Sequence, residues 1–197
     1  MPEQGIRKRM KRWEIPGDWR YLTCSTYRRF QFFDEPGFKD IFAEKLEAAR
    51  CTCGFELRAW VLMPEHFHIM LKPNIAGPKV PEILKSLKVS VSQSLLYVWR
   101  KRRPDLIRRS RLDDGSLRVW QPGGGFDRNV RDNEEMEYEI RYIHHNPVKR
   151  GLVKSPTDWA WSSARHYAGD ARSPVQIVYR KWTPHRDQPD DRETGSM

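Results

Sequence analysis

The chain has 197 residues, 38% of them hydrophobic and 31% charged, with a formal net charge of +10. That is enough for one ordinary domain with tails and a real core, but it excludes a membrane-spanning protein, because the longest apolar run near the middle, Ala59 to Met63, is far too short to cross a bilayer. No apolar stretch follows the basic N-terminus in the manner of a secretory signal, and among the three cysteines Cys51 and Cys53 form a C-x-C rather than a zinc knuckle, so a reduced, cytoplasmic protein without a cysteine zinc site is expected.

In chain order, a basic arm (1–14) precedes the Pro16-Gly17 turn, and Trp19 to Tyr27 is rich in β-formers and predicts a strand. Pro36-Gly37 opens a helix over Phe38 to Arg50, with apolar residues at 38, 41, 42, 46 and 49 and Gly54 as its stop. Phe55 to Leu62 predicts a second strand, Met63-Pro64-Glu65 a tight connection, and His66 to Lys72 a third strand completing a hairpin. A long helix follows from about Pro81 to Lys101, ended by Pro104. Next come a basic loop, a short strand at Leu117–Gln121, a flexible Gly123-Gly124-Gly125, and a helix from Asp132 or Asn133 to about His145 that Asn146-Pro147 breaks. The order βαββαβα predicts an α+β fold, a ferredoxin-like antiparallel sheet with helices packed on it. Residues 15–168 form the domain, and 169–197, with Pro174, Pro184 and Pro189, read as a poorly ordered tail.

The charge is concentrated. Residues 1–12 carry +4 and residues 100–111 carry +6, which together equal the net charge of the whole chain. The candidate phosphate-contacting residues are therefore Arg7, Lys8, Arg9, Lys11 and Arg12 in the arm, and Arg100, Lys101, Arg102, Arg103, Arg108, Arg109 and Arg111 in the second patch. Two such patches attract a polyanion and release its counterions, which makes nucleic acid the leading partner, although solvated basic loops would carry the same residues. Trp13, Trp99, Trp120 and Tyr97 are candidates for stacking on bases and equally for the core, whereas Trp159 and Trp161 read as packing.

Two segments carry chemistry. In Met63-Pro64-Glu65-His66-Phe67-His68-Ile69 the strand period of two sends both imidazoles to one face, a ready pair of metal ligands; two surface histidines would give the same short pattern. In Tyr138 to Val153, Tyr142 and Asn146 are four apart and share one helix face with Tyr138, which is also the spacing of ordinary core residues.

Together, Trp60 to His68 and Tyr142-Ile143-His144-His145-Asn146-Pro147-Val148-Lys149-Arg150-Gly151-Leu152-Val153 resemble the REP-associated tyrosine transposases, members of the HUH superfamily of single-strand DNA endonucleases named for His-hydrophobic-His. Supporting matches are Val119-Trp120-Gln121, Phe126-Asp127-Arg128 and Asp158 to Ser163, and the resemblance covers about residues 15–168. It implies an HUH-type nuclease domain in which His66, His68 and the amide oxygen of Asn146 bind Mg²⁺ or Mn²⁺ and Tyr142 is the nucleophile. The implied partner is single-stranded hairpin DNA, cleaved and rejoined through a 5′-phosphotyrosine without a nucleotide cofactor by a chain that is more a monomer than an obligate dimer. Gly123-Gly124-Gly125 departs from the short basic link expected before Phe126. His145 is a geometrically possible general base and Tyr138 a possible second nucleophile. Two other readings stay open: a domesticated hairpin-DNA binder without turnover, and an unrelated metallohydrolase using His66 and His68 in which Tyr142 is structural.

Overall fold

The computed structural model describes residues 17–123, 125–170 and 173–178. Four strands, β1 (Arg20–Ser25), β2 (Glu56–Met63), β3 (His66–Lys72) and β4 (Phe126–Asn129), form one sheet in the order β2-β3-β1-β4. All three neighbouring pairs are antiparallel. This is the ferredoxin-like arrangement expected: β1 and β3 lie at the centre, and β1 and β2 run parallel with β3 between them. The helices are α1 (Pro36–Cys53), α2 (Val80–Arg102), α3 (Pro104–Ser110), α4 (Asn133–Lys149) and the single turn α5 (Ala164–Tyr167).

Side-chain alternation splits the sheet into two faces with different neighbours. Leu22 and Cys24 of β1, Leu57, Trp60 and Leu62 of β2, and Phe67, Ile69 and Leu71 of β3 share one core with Phe42 and Leu46 of α1 and Leu87, Val91 and Leu95 of α2. Tyr21, Ala59, Val61, Met63 and Met70 line the other face beneath Met136, Ile140 and Ile143 of α4. In β2 the parity changes because a bulge between Leu57 and Ala59 inserts one residue, so Leu57 and Trp60 point the same way. His66 and His68 therefore face α4, while Phe67 between them is buried in the larger core.

Several elements differ from the expectation. Leu117–Gln121 does not join the sheet: it makes isolated bridges at Leu117 and Trp120, with Tyr27 N–H donating to Val119 O and Gln121 N–H to Ser25 O. The fourth strand is the polar Phe126–Asn129, which holds its place because Asp127 accepts from the buried Arg20 guanidinium at 2.7 Å. The chain enters β4 at Gly125, with φ +76° and its Cβ position only 2.1 Å from Thr23 O, so this glycine is required by close backbone approach rather than left flexible. The basic loop after α2 is in part the helix α3, since Pro104 both stops α2 and sits at the first position of the next helix.

Asn146-Pro147 does not break α4. Pro147 lies in the last turn, where its missing N–H costs a single bond. The helix stops after Lys149, and Gly151, with φ +67°, closes it: Gly151 N–H donates to Val148 O and Leu152 N–H to Pro147 O, the paired bonds of a Schellman stop. Within the expected C-terminal tail, Val175 is fully buried and Val178 N–H donates to Leu57 O at 2.7 Å, which packs this stretch on the edge of β2. The basic arm, with Arg7, Lys8, Arg9, Lys11, Arg12 and Trp13, lies outside the described residues. No described helix is long and apolar enough to cross a membrane.

Candidate active site

Register decides what meets the two histidines. His68 pairs with Thr23 and His66 with Ser25 across the β1–β3 ladder, and α4 lies over that face. The rings of His66 and His68 stand at 87° with centroids 4.8 Å apart, and their Nε2 atoms are 3.1 Å apart. Asn146, one turn beyond Tyr142 on α4, brings its amide Nδ2 within 3.1 Å of His68 Nε2. All three groups are buried.

The outer partners of these groups were not legible in the sequence. His68 Nδ1 is 2.7 Å from both Tyr21 Oη and Thr23 Oγ1, side chains on the same face of β1. His66 Nδ1 is 3.2 Å from Glu65 Oε1, and that oxygen also accepts from Arg150 at 2.7 Å. Burial drives the titrations here. It lowers the His66 pKa, and it pushes His68 down to about 3, so both rings are neutral at pH 7. Glu65 is buried too, yet its pKa lies below the ordinary value because the Arg150 hydrogen bond and the nearby cationic groups outweigh desolvation.

Tyr142 is half-buried, its ring edge-on to His68 at a centroid distance of 5.6 Å. Lys149 Nζ lies 4.6 Å from the centroid of the same ring. Lys149 follows Tyr142 by seven residues, a same-face helical spacing that would have identified it. Tyr138, one turn earlier, is 58% exposed beside Arg128 and Glu135, so of the two α4 tyrosines it is Tyr142 that is brought against the imidazoles. His145 is exposed with Nδ1 3.0 Å from Arg141 O, and His144 is buried against Ser163 and Tyr167; neither ring is brought to the pair.

The donor set fits a hard divalent cation. Donors bonded to one ion at about 2.1 Å stand about 3.0–3.4 Å apart when adjacent, which matches the separations of these polar atoms. The amide nitrogen and oxygen of Asn146 exchange places by a half-turn of its last torsion, which would turn the oxygen inward. Among the described residues no three His, Cys, Asp or Glu cluster to hold a metal, so the ligands would be two imidazoles and an amide. That set lacks the closed shell of a structural zinc site and leaves positions for water or phosphate oxygen.

The second basic patch occupies the end of α2, α3 and the residue after it. Arg100, Lys101, Arg102, Arg108, Arg109 and Arg111 are exposed. Arg103 is different: it bonds Glu35 and Asp105 and lies 3.5 Å from Asp34, so acidic neighbours offset its charge. Of the candidate stacking residues, Trp99 and Trp120 are core, while Tyr97 is 60% exposed with the Lys101 ammonium on its ring. Trp159 is buried, its indole N–H donating to Leu62 O, and Trp161 donates to Asp40.

No family model matches the chain. It is 28% identical over 109 residues to an Escherichia coli REP-associated tyrosine transposase, covering 55% of this chain and 54% of that protein. The chain thus spans about half the length of that relative. A putative REP-associated tyrosine transposase of Haemophilus influenzae is 26% identical over 127 residues, 63% of this chain and 69% of the relative. In fold, the chain resembles the solved structure of a REP-associated tyrosine transposase bound to a REP hairpin, with a TM-score of 0.65, 19% identity, and coverage of 92% of this chain and 99% of the other. These comparisons bear out the resemblance carried by the motifs and the ferredoxin-like α+β fold.

Proposed function

We propose that the chain is a REP-associated tyrosine transposase: a metal-dependent single-strand DNA endonuclease and strand transferase acting beside hairpin DNA. The observation that carries this reading is the convergence of His66 Nε2, His68 Nε2 and the Asn146 amide, with the Tyr142 ring against His68. Strand β3 and helix α4, remote in the chain, have to meet to assemble it, which a chance pair of surface histidines does not require.

His66, His68 and Asn146 would hold Mg²⁺ or Mn²⁺. When bound, such an ion polarises a non-bridging phosphate oxygen and stabilises the charge that develops during phosphoryl transfer. The chain's own groups supply the remainder. Neutral imidazoles offer lone pairs without a proton to displace, and the Tyr21 and Thr23 hydroxyls hold the His68 ring from behind. The Tyr142 hydroxyl attacks phosphorus in line: its oxygen forms the new P–O bond, its proton passes to solvent, and the bond to the 3′-oxygen breaks as that oxygen takes a proton from solvent. The products are a 5′-phosphotyrosine and a free 3′-hydroxyl. A phosphodiester is exchanged for another ester, so attack by a second 3′-hydroxyl reverses the step and joins strands without a nucleotide cofactor. Lys149, packed on the Tyr142 ring, would offer its ammonium to the phosphate that Tyr142 attacks.

The solved relative of similar fold carries a REP hairpin, and the exposed arginines of 100–111 with Lys101 give this chain a surface for the same kind of ligand. The arm 1–12 adds a second such segment by composition. The test is incubation with hairpin single-stranded DNA and Mn²⁺ or Mg²⁺ followed by denaturing electrophoresis. A protein–DNA adduct that needs the cation and disappears in Tyr142→Phe, with hairpin affinity retained, is the expected result. Binding without an adduct would point to a non-catalytic binder, and hydrolysis without an adduct to a metallohydrolase in which Tyr142 is structural.

A further inference from the structure

Glu65, in the two-residue turn between β2 and β3, takes no part in that reaction, yet it lies at a junction of the site. Its Oε1 receives Arg150 Nη1 at 2.7 Å and Arg29 Nη2 at 3.4 Å, and it faces His66 Nδ1 at 3.2 Å. The side chain is 4% exposed. Its other oxygen, Oε2, is buried with no hydrogen-bond partner.

A carboxylate engaged by two guanidinium groups accepts, so the proton in its bond to His66 belongs to Nδ1. A neutral imidazole carries one ring N–H, and the lone pair is thereby left on Nε2, the nitrogen that faces His68 Nε2 at 3.1 Å. Arg150 links the same oxygen to the end of α4: its backbone N–H donates to Asn146 O, which ties it to the turn carrying the amide ligand. We propose that Glu65 is a positioning residue, one buried carboxylate that holds His66 with Nε2 toward the site and locks that strand to the helix end bearing Asn146 and Tyr142. This role rests on the metal-site reading under the proposed function.

The test uses the full chain. Nitrogen-15 NMR reads the His66 tautomer, and electron paramagnetic resonance of free Mn²⁺ gives the metal affinity, with far-UV circular dichroism checking the fold. The wild type should show the Nδ1–H tautomer. Glu65→Gln should mix the two tautomers and raise the Mn²⁺ Kd about tenfold, as loss of such an outer partner does elsewhere. Arg150→Gln, at a half-exposed side chain, should keep the fold and raise the Kd by less. An Nε2–H tautomer in the wild type, or wild-type Mn²⁺ affinity in both folded variants, would overturn the proposal while leaving the metal site intact. If Glu65→Gln does not fold, the wild-type tautomer and Arg150→Gln decide. Failure of the wild type to take up Mn²⁺ would instead remove the metal reading, and this role with it.

Discussion

Lowering the pH from about 7.5 to about 5 should cost the fold about 2 kcal/mol at His144 alone. This ring is buried on α4, its Nε2 2.8 Å from Ser163 Oγ and its face against Tyr167, and burial first, then the neighbouring His145, push its pKa from 6.5 down to about 4. The unfolded chain therefore binds more protons than the native one between those two values, so the stability present above pH 6.5 is lost as the pH falls toward 4. At pH 5 the difference in proton binding corresponds to about 2 kcal/mol, rising to about 3 kcal/mol below both values. His68, depressed by burial and then by His66 and Arg29, acts in the same direction, whereas Glu139, raised by burial, opposes it. His144→Gln isolates the one contribution, because the amide can still bond Ser163 but does not titrate. Urea unfolding of both proteins across the pH range should show the variant less stable near neutrality, with that gap closing by about 2 kcal/mol at pH 5. Parallel pH profiles would refute the reasoning.

Other substitutions probe separate parts of the account. Gly125→Ala should lower stability by several kcal/mol in thermal unfolding, since its Cβ would meet Thr23 O at 2.1 Å, whereas Gly115→Ala, at φ +80° in open space, should cost only about 1–2 kcal/mol. Tyr21→Phe alone should weaken Mn²⁺ binding modestly because Thr23 still reaches His68 Nδ1; Tyr21→Phe with Thr23→Val should weaken it about tenfold or more, as read by metal titration. Arg100→Gln with Arg102→Gln should reduce the salt slope of hairpin binding by about 0.7–0.9 for each phosphate no longer neutralised. Arg103→Gln should leave that slope close to wild type and lower the melting temperature instead, because this guanidinium is bonded to Glu35 and Asp105.

Local periodicity grouped the residues at the centre of the site, and the family resemblance, not the spacing, suggested their roles. The two-residue strand repeat puts His66 and His68 on one face, and the four-residue helix spacing aligns Tyr142 with Asn146; both hold in the structure. What local pattern does not encode is register. Tyr21 and Thr23 reach His68 only because β1 pairs with β3 as Thr23 with His68, and no spacing in the chain announces that offset. Glu65 stood inside the motif, but its partners come from Arg150 and Arg29, remote in sequence. The fourth strand escaped notice because Asp127-Arg128-Asn129 is polar; its stability comes from the Arg20–Asp127 pair and ladder bonds to β1. Pro147 obscured the end of α4, where Gly151 was the stronger stop.

The most direct measurement is the site of covalent attachment. After reaction with hairpin DNA and Mn²⁺, nuclease trimming, proteolysis and tandem mass spectrometry should place a nucleotide phosphate on Tyr142, the phenol whose ring lies against His68. The same mass found on Tyr138, or on any residue away from the pocket of His66, His68 and Asn146, would contradict the account.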